Sequence, residues 1–170
     1  MTDQNLMLKN IDQLEMQTFE QLQAQTVSAA VISLGSNHQA EQHLATVHES
    51  LAKLGEIKLS KAYQNPDVTA TPTQLKPDYI NQCAYLALLS SMTLQQLRQL
   101  FKQFENDCNR QRQVKNTVIK QVAVKKVTMD IDTLLVRLEG SSGWIVMAER
   151  YPFKAHEMDG VGELAAEVLR

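Results

Sequence analysis

"VTMDIDTLLV", Val127 to Val136, decides how the chain is laid out, because it has the apolar run of a β-strand and yet carries Asp130 and Asp132 in its middle. Ionised carboxylates are expensive to bury, so an acidic pair among Val, Met, Ile and Leu needs cations, hydrogen-bond donors or an exposed edge beside it. In a strand, residues two apart share a face, with Cα atoms roughly 6.5 Å apart. Thr128, Asp130 and Asp132 then form one row, while Met129 and Ile131 face the other way. Such a row can bracket Mg2+, a hard cation typically held by one or two carboxylates together with substrate phosphates. A D-x-D on the solvent face of an edge strand accounts for the same residues, and the spacing alone does not separate the two.

The segment just upstream shifts the balance. Between Asp107 and Asp130 the chain carries Arg110, Arg112, Lys115, Lys120, Lys125 and Lys126 and no acid. Arg110 and Arg112 follow a helix end, where the macrodipole by itself favours cations. An aperiodic cationic stretch abutting an acidic pair nevertheless suits a polyphosphate, whose developing charge is stabilised by metal, guanidinium and ammonium groups. The chain has no G-x-x-x-x-G-K-[ST] run, which excludes the P-loop route to that chemistry.

Further out, "AAVISLGSN" (29–37) reads as a strand ending in a tight turn, with Asn37 placed to cap the next helix. Ala40, Leu44, Val47, Leu51 and Leu54 keep close to the helical period until Gly55. "IKLSKAYQN" (57–65) and "YINQCAYLALL" (79–89) read as strands, separated by a proline-marked loop. Thr93 and Gln96 form a capping box for a helix with the apolar face Leu94, Leu97, Leu100, Phe101, Phe104 and Cys108. After the Asp-bearing strand come a turn at 140–143 and a short strand in "GWIVMAER". The order is β-α-β-β-α-β-β, an α+β layout with helices packed on one face of an antiparallel sheet.

A chain of 170 residues, 44% of them hydrophobic, sustains one domain with a real core plus appendages. Residues 1–28 form the appendage. Their apolar positions Met7, Ile11, Leu14 and Leu22 predict an amphipathic helix over 4–26, outside the main domain of 29–170 and free to meet a protein partner or a second copy. A formal net charge of −2 makes no global case for nucleic acid or an anionic membrane as partner. Cys83 and Cys108 have no paired or metal-ligand spacing and read as free thiols. His38, His43 and His48 read as solvated surface and Trp144 as packing. No apolar run approaches a membrane span and no leader pattern opens the chain, so a soluble, cytoplasmic protein is expected.

Four blocks together carry a resemblance. "VISLGSN", "PDYINQCAYLAL", "ENDCNRQR" and "VTMDIDTLLV" occur in the order and near the spacing seen in 6-hydroxymethyl-7,8-dihydropterin pyrophosphokinases of folate biosynthesis, over about residues 29 to 136. The resemblance implies a ferredoxin-like α+β domain that transfers pyrophosphate from ATP to a pterin with two Mg2+. It implies Asp130 and Asp132 as the metal pair, and Tyr79 and Asn81 as holders of the pterin, with Asn65 and Pro66 on the opposing loop. Arg110 and Arg112 match the start of the catalytic loop, and Lys126 or Lys125 stands where similar enzymes carry a Trp and an Arg. Without the resemblance, Tyr79 is half-buried packing and Asn81 an edge polar group. Similar enzymes also follow their last core strand with Pro-His; here Pro152 is followed by Phe153, with Lys154 and His156 nearby. Those departures keep a second expectation in view, a paralogue that binds nucleotide or pterin without turnover and uses its N-terminal helix to recruit a partner.

Overall fold

The computed structural model describes residues 11–65, 74–75, 78–109, 117–119, 122–124 and 126–167. In chain order the strands are β1 (Glu15–Gln17), β2 (Thr26–Ser36), β3 (Gly55–Leu59), β4 (Tyr63–Asn65), β5 (Gln74–Leu75), β6 (Tyr79–Thr93), β7 (Thr117–Ile119), β8 (Val122–Val124), β9 (Asp130–Leu138) and β10 (Ile145–Met147). The helices are α1 (Phe19–Leu22), α2 (Ala40–Leu54), α3 (Leu94–Asp107) and α4 (Ala155–Glu167).

The apolar run of β2 lies between two antiparallel neighbours, β6 and β9. Buried on both faces, it can be apolar at every position, which is why it shows no alternation. The seven-stranded sheet runs β1-β10-β9-β2-β6-β3, with β4 also on β6, and it is antiparallel except between β1 and β10. Ala30, Ile32 and Leu34 of β2 pack with Leu44, Val47 and Leu51 of α2 and Leu94, Leu97 and Phe101 of α3. Thr93 and Gln96 make the expected capping box on α3, with backbone-to-side-chain bonds of 2.9 and 3.1 Å.

The alternate residues of β2, Ala29 and Val31, pack with Cys83, Tyr85, Trp144 and Phe153 and with Val161 and Leu164 of α4. Helices therefore cover both faces, and the expectation of one covered face is corrected by α4. Two glycines and several polar residues blur its period. Gly160 lets α4 lie close against β6: a Cβ there would sit 2.5 Å from Cys83 Sγ.

The expected amphipathic helix over 4–26 is also corrected; residues 4–10 lie outside the described residues, and 11–26 form other elements. Ile11–Gln13 is a 3-10 turn, β1 joins the sheet edge, and Thr18 opens α1 by accepting from the Gln21 amide at 3.1 Å. Ile11 is buried in the core on the α4 side and Leu22 in the core on the α2–α3 side. One straight helix cannot place its stripe on both faces of a sheet. Strand β2 begins at Thr26, ahead of the expected boundary at residue 29. These residues are spent on their own domain, which removes the described part of the segment as a free partner-binding helix. Within the cationic stretch, β7 and β8 pair as a hairpin that β5 joins, so it is not wholly aperiodic. Among the described residues, no helix is long and apolar enough to cross a membrane.

Candidate active site

Strand register aligns one row of residues across four strands: Asp130 of β9 is opposite Gly35 of β2, Gly35 opposite Asn81 of β6, and Asn81 opposite Tyr63 of β4. Directly opposed residues point to one face. Asp130 and Asn81 are thus two strands, roughly 10 Å, apart over a glycine. A Cβ on Gly35 would lie 2.9 Å from Asn81 Oδ1 and 3.7 Å from a Tyr79 ring carbon, so only glycine leaves this floor open. Tyr79 is opposite Asn65. Asp132 follows in the next row, opposite Ser33.

Among the described residues, two buried atoms beside this floor lack a hydrogen-bond partner, Asn65 Nδ2 and Thr128 Oγ1. Leaving such a group unsatisfied costs about 1–3 kcal/mol, which a ligand can recover. Asp132 is buried except for 16% of its side chain, and its Oδ1 accepts from an Arg150 guanidinium nitrogen at 2.5 Å. Burial pushes the Asp132 carboxyl up to about 6; the Asp130 charge adds to the rise and Arg150 opposes it.

Beyond the acids lies the open edge of β9, because β10 pairs with it only at Leu135 and Val136. Helix α3 faces that edge, and its buried Glu105 accepts from the Ile131 amide at 3.0 Å. Between them is a cavity of about 190 Å3 with an apolar floor of Leu94, Phe101 and Met147. Its rim carries the cations Arg98, Lys102 and Arg150, with Asp130, Asp132, Glu149 and Phe19.

The turn after β2 holds the entrance to β9. Asn37 Oδ1 accepts from the Val127 amide at 2.6 Å, and the Asn37 amide donates to the Val127 carbonyl at 2.9 Å. The expected helix-capping role of Asn37 is thereby corrected: Gln39, in the left-handed region at φ 46, precedes α2 and makes no side-chain cap. Nor is His43 solvated surface. It is buried, and its Nδ1 lies 2.8 Å from the His38 carbonyl, which can only accept, so Nδ1 carries the proton.

Asn65, Tyr79, Asn81, Asp130 and Asp132 therefore line one continuous surface. Lys126 is exposed, next to the clamped Val127. Arg110, Arg112, Pro66 and Lys125 lie outside the described residues. The sequence reading missed Arg98, Lys102 and Glu105, although their helical spacing puts them on one face of α3. It missed Arg150, Gly35 and Phe19 for want of any local pattern.

Among the described residues, no group of three or more His, Cys, Asp or Glu side chains is placed to hold a metal alone. The donor set nevertheless fits a hard cation: two carboxylates on one face, completed by ligand oxygens, are what Mg2+ typically takes. The model of the 7,8-dihydro-6-hydroxymethylpterin-pyrophosphokinase (HPPK) family matches residues 31–153. The chain belongs to that family. No curated protein matches it. The HPPK match takes in the glycine-floored row, the acids and α3; it leaves out β1, α1 and α4. Phe153, where the resemblance expects the histidine of Pro-His, is buried edge-on to Tyr151 at a centroid distance of 6.1 Å. In this HPPK-family chain the position is spent on core packing.

Proposed function

We propose that the chain transfers pyrophosphate from ATP to 6-hydroxymethyl-7,8-dihydropterin, giving AMP and the pterin diphosphate. The observation that carries this reading is the Asp130–Gly35–Asn81 row, which sets an acid pair beside an open floor ending in an amide. Asn81, Asn65 and Tyr79, with Pro66, hold the pterin, and the orphaned Asn65 Nδ2 is a donor suited to a heterocycle's acceptors. ATP lies on the other side of the acids, along the β9 edge. Asp130 and Asp132 would hold Mg2+, which supplies neutralisation of the phosphate charge. Lys102 faces the phosphates from α3, and Arg110, Arg112 and Lys126 supply the loop cations. The hydroxymethyl oxygen bonds to the β-phosphorus as that atom's bond to the AMP oxygen breaks. Little more is asked of the chain than alignment and charge, since phosphoryl-type transfer needs no covalent nucleophile. A soluble cytoplasmic enzyme, with neither nucleic acid nor membrane as partner, belongs to the same reading.

The Arg150–Asp132 ion pair and the buried Phe153 favour a second reading, a module that binds nucleotide or pterin without turnover. Incubation with ATP, Mg2+ and the hydroxymethyldihydropterin separates the two. AMP release supports the transferase; saturable binding of both ligands without AMP supports the module; ADP would indicate a simple kinase and overturn the proposal.

A further inference from the structure

Residues 15–25 precede the HPPK match, yet one of them, Phe19, lines the cavity beside the acids. They are fastened at four places. The Ala148 amide donates to the Gln17 carbonyl at 3.0 Å, and the Phe19 amide donates to Glu149 Oε1 at 2.5 Å. The first amides of α3, those of Leu94 and Gln95, donate to the Gln25 and Gln23 carbonyls, each at 3.0 Å. The strap thus provides acceptors that the start of a helix otherwise lacks. It also fixes Phe19 against α3, where the Arg98 guanidinium lies over the ring, 4.2 Å from its centroid.

Both members of that stack line the cavity, together with Asp130, Asp132 and Arg150. At about 190 Å3 the space is smaller than the roughly 300 Å3 at which sites for whole ligands begin, so it takes one part of a ligand. Its floor is apolar, its wall is an aromatic ring stacked with a guanidinium plane, and the acids stand at its mouth. Flat apolar and guanidinium surfaces suit a planar heterocycle. A phosphate chain leaving the cavity meets Arg150 and the acids next.

Resting on the nucleotide reading above, we propose that Phe19 and Arg98 form the base subsite of the nucleotide. A segment outside the family match thereby sets the chain's preference for a purine nucleotide over a bare polyphosphate. The base packs against the stack, and the strap keeps Phe19 in place. Removing the aromatic wall therefore weakens ATP but not tripolyphosphate, which has no base to place.

Calorimetric titration of the full chain with Mg2+–ATP and with Mg2+–tripolyphosphate tests this. Phe19→Leu keeps the apolar bulk and Phe19→Tyr keeps the ring; Arg98→Lys keeps charge but loses the plane. Wild type and Phe19→Tyr should bind ATP on the order of ten-fold or more tighter than tripolyphosphate. Phe19→Leu and Arg98→Lys should lose most of that preference while binding tripolyphosphate as wild type does. Equal ATP preference in all four proteins would overturn the base subsite and leave the nucleotide reading standing. Parallel loss of both ligands in the variants would assign Phe19 to folding alone and also overturn it. Failure of wild type to bind either ligand would remove the nucleotide reading, and the subsite with it.

Discussion

Replacing Asp132 by Asn should stabilise the metal-free protein at pH 8 and leave it unchanged near pH 3. Burial and the Asp130 charge lift the Asp132 carboxyl from its ordinary 3.8 to about 6 against the pull of Arg150. The folded state then holds this proton more tightly than the unfolded chain does. Below the unfolded value both states are protonated and nothing is lost; as pH rises through about 6, ionisation destabilises the folded form. A shift of roughly two units at about 1.4 kcal/mol each gives about 3 kcal/mol at full ionisation. Asn carries no charge and escapes that cost. It gives up the ion pair, but the pull of Arg150 is already contained in the value of about 6, so nothing further is subtracted. The gain of about 3 kcal/mol corresponds to a rise in Tm of roughly 6–12 °C for a chain of this size. Thermal melts with a chelator present, from pH 3 to pH 8, read it directly. Adding Mg2+ with a non-hydrolysable ATP analogue at 100 times Kd should then restore about 2.7 kcal/mol to wild type and little to the variant. An Asn variant less stable than wild type at pH 8, or a difference independent of pH, would refute the reasoning. Asp132 would then be a structural partner of Arg150 and not a carboxylate held in reserve for a cation.

Gly35→Ala would put a methyl group 2.9 Å from Asn81 Oδ1, so the amide must move. Pterin affinity should fall on the order of ten-fold while ATP binding changes little, and pterin titration that matches wild type would take Asn81 out of the cradle. Asn37→Ala removes the acceptor of the buried Val127 amide, and a loss of about 1–3 kcal/mol is expected from the urea midpoint. A shift below about 0.5 kcal/mol would show that the clamp at the entrance to β9 carries nothing.

What the sequence determined by itself is what local geometry encodes. A two-residue period put Asp130 and Asp132 on one face, a capping box started α3 at Leu94, and the apolar run around Val31 marked the central strand. Each depends on dihedral angles and on neighbours within a turn or a pleat, so a short window suffices. The tertiary structure decided the rest, because those contacts join residues whose separation no periodicity predicts. Ile11 and Leu22 share a helical stripe on paper but belong to opposite faces of the sheet once β1 pairs with β10. Arg150 reaches Asp132 only because β10 leaves the edge of β9 open before Leu135. Phe19 meets Arg98 across 79 positions of chain because α3 takes its first backbone acceptors from the strap. Period and capping follow from covalent neighbours, whereas register across the sheet follows from which apolar faces can be buried together, and that is a property of the whole chain.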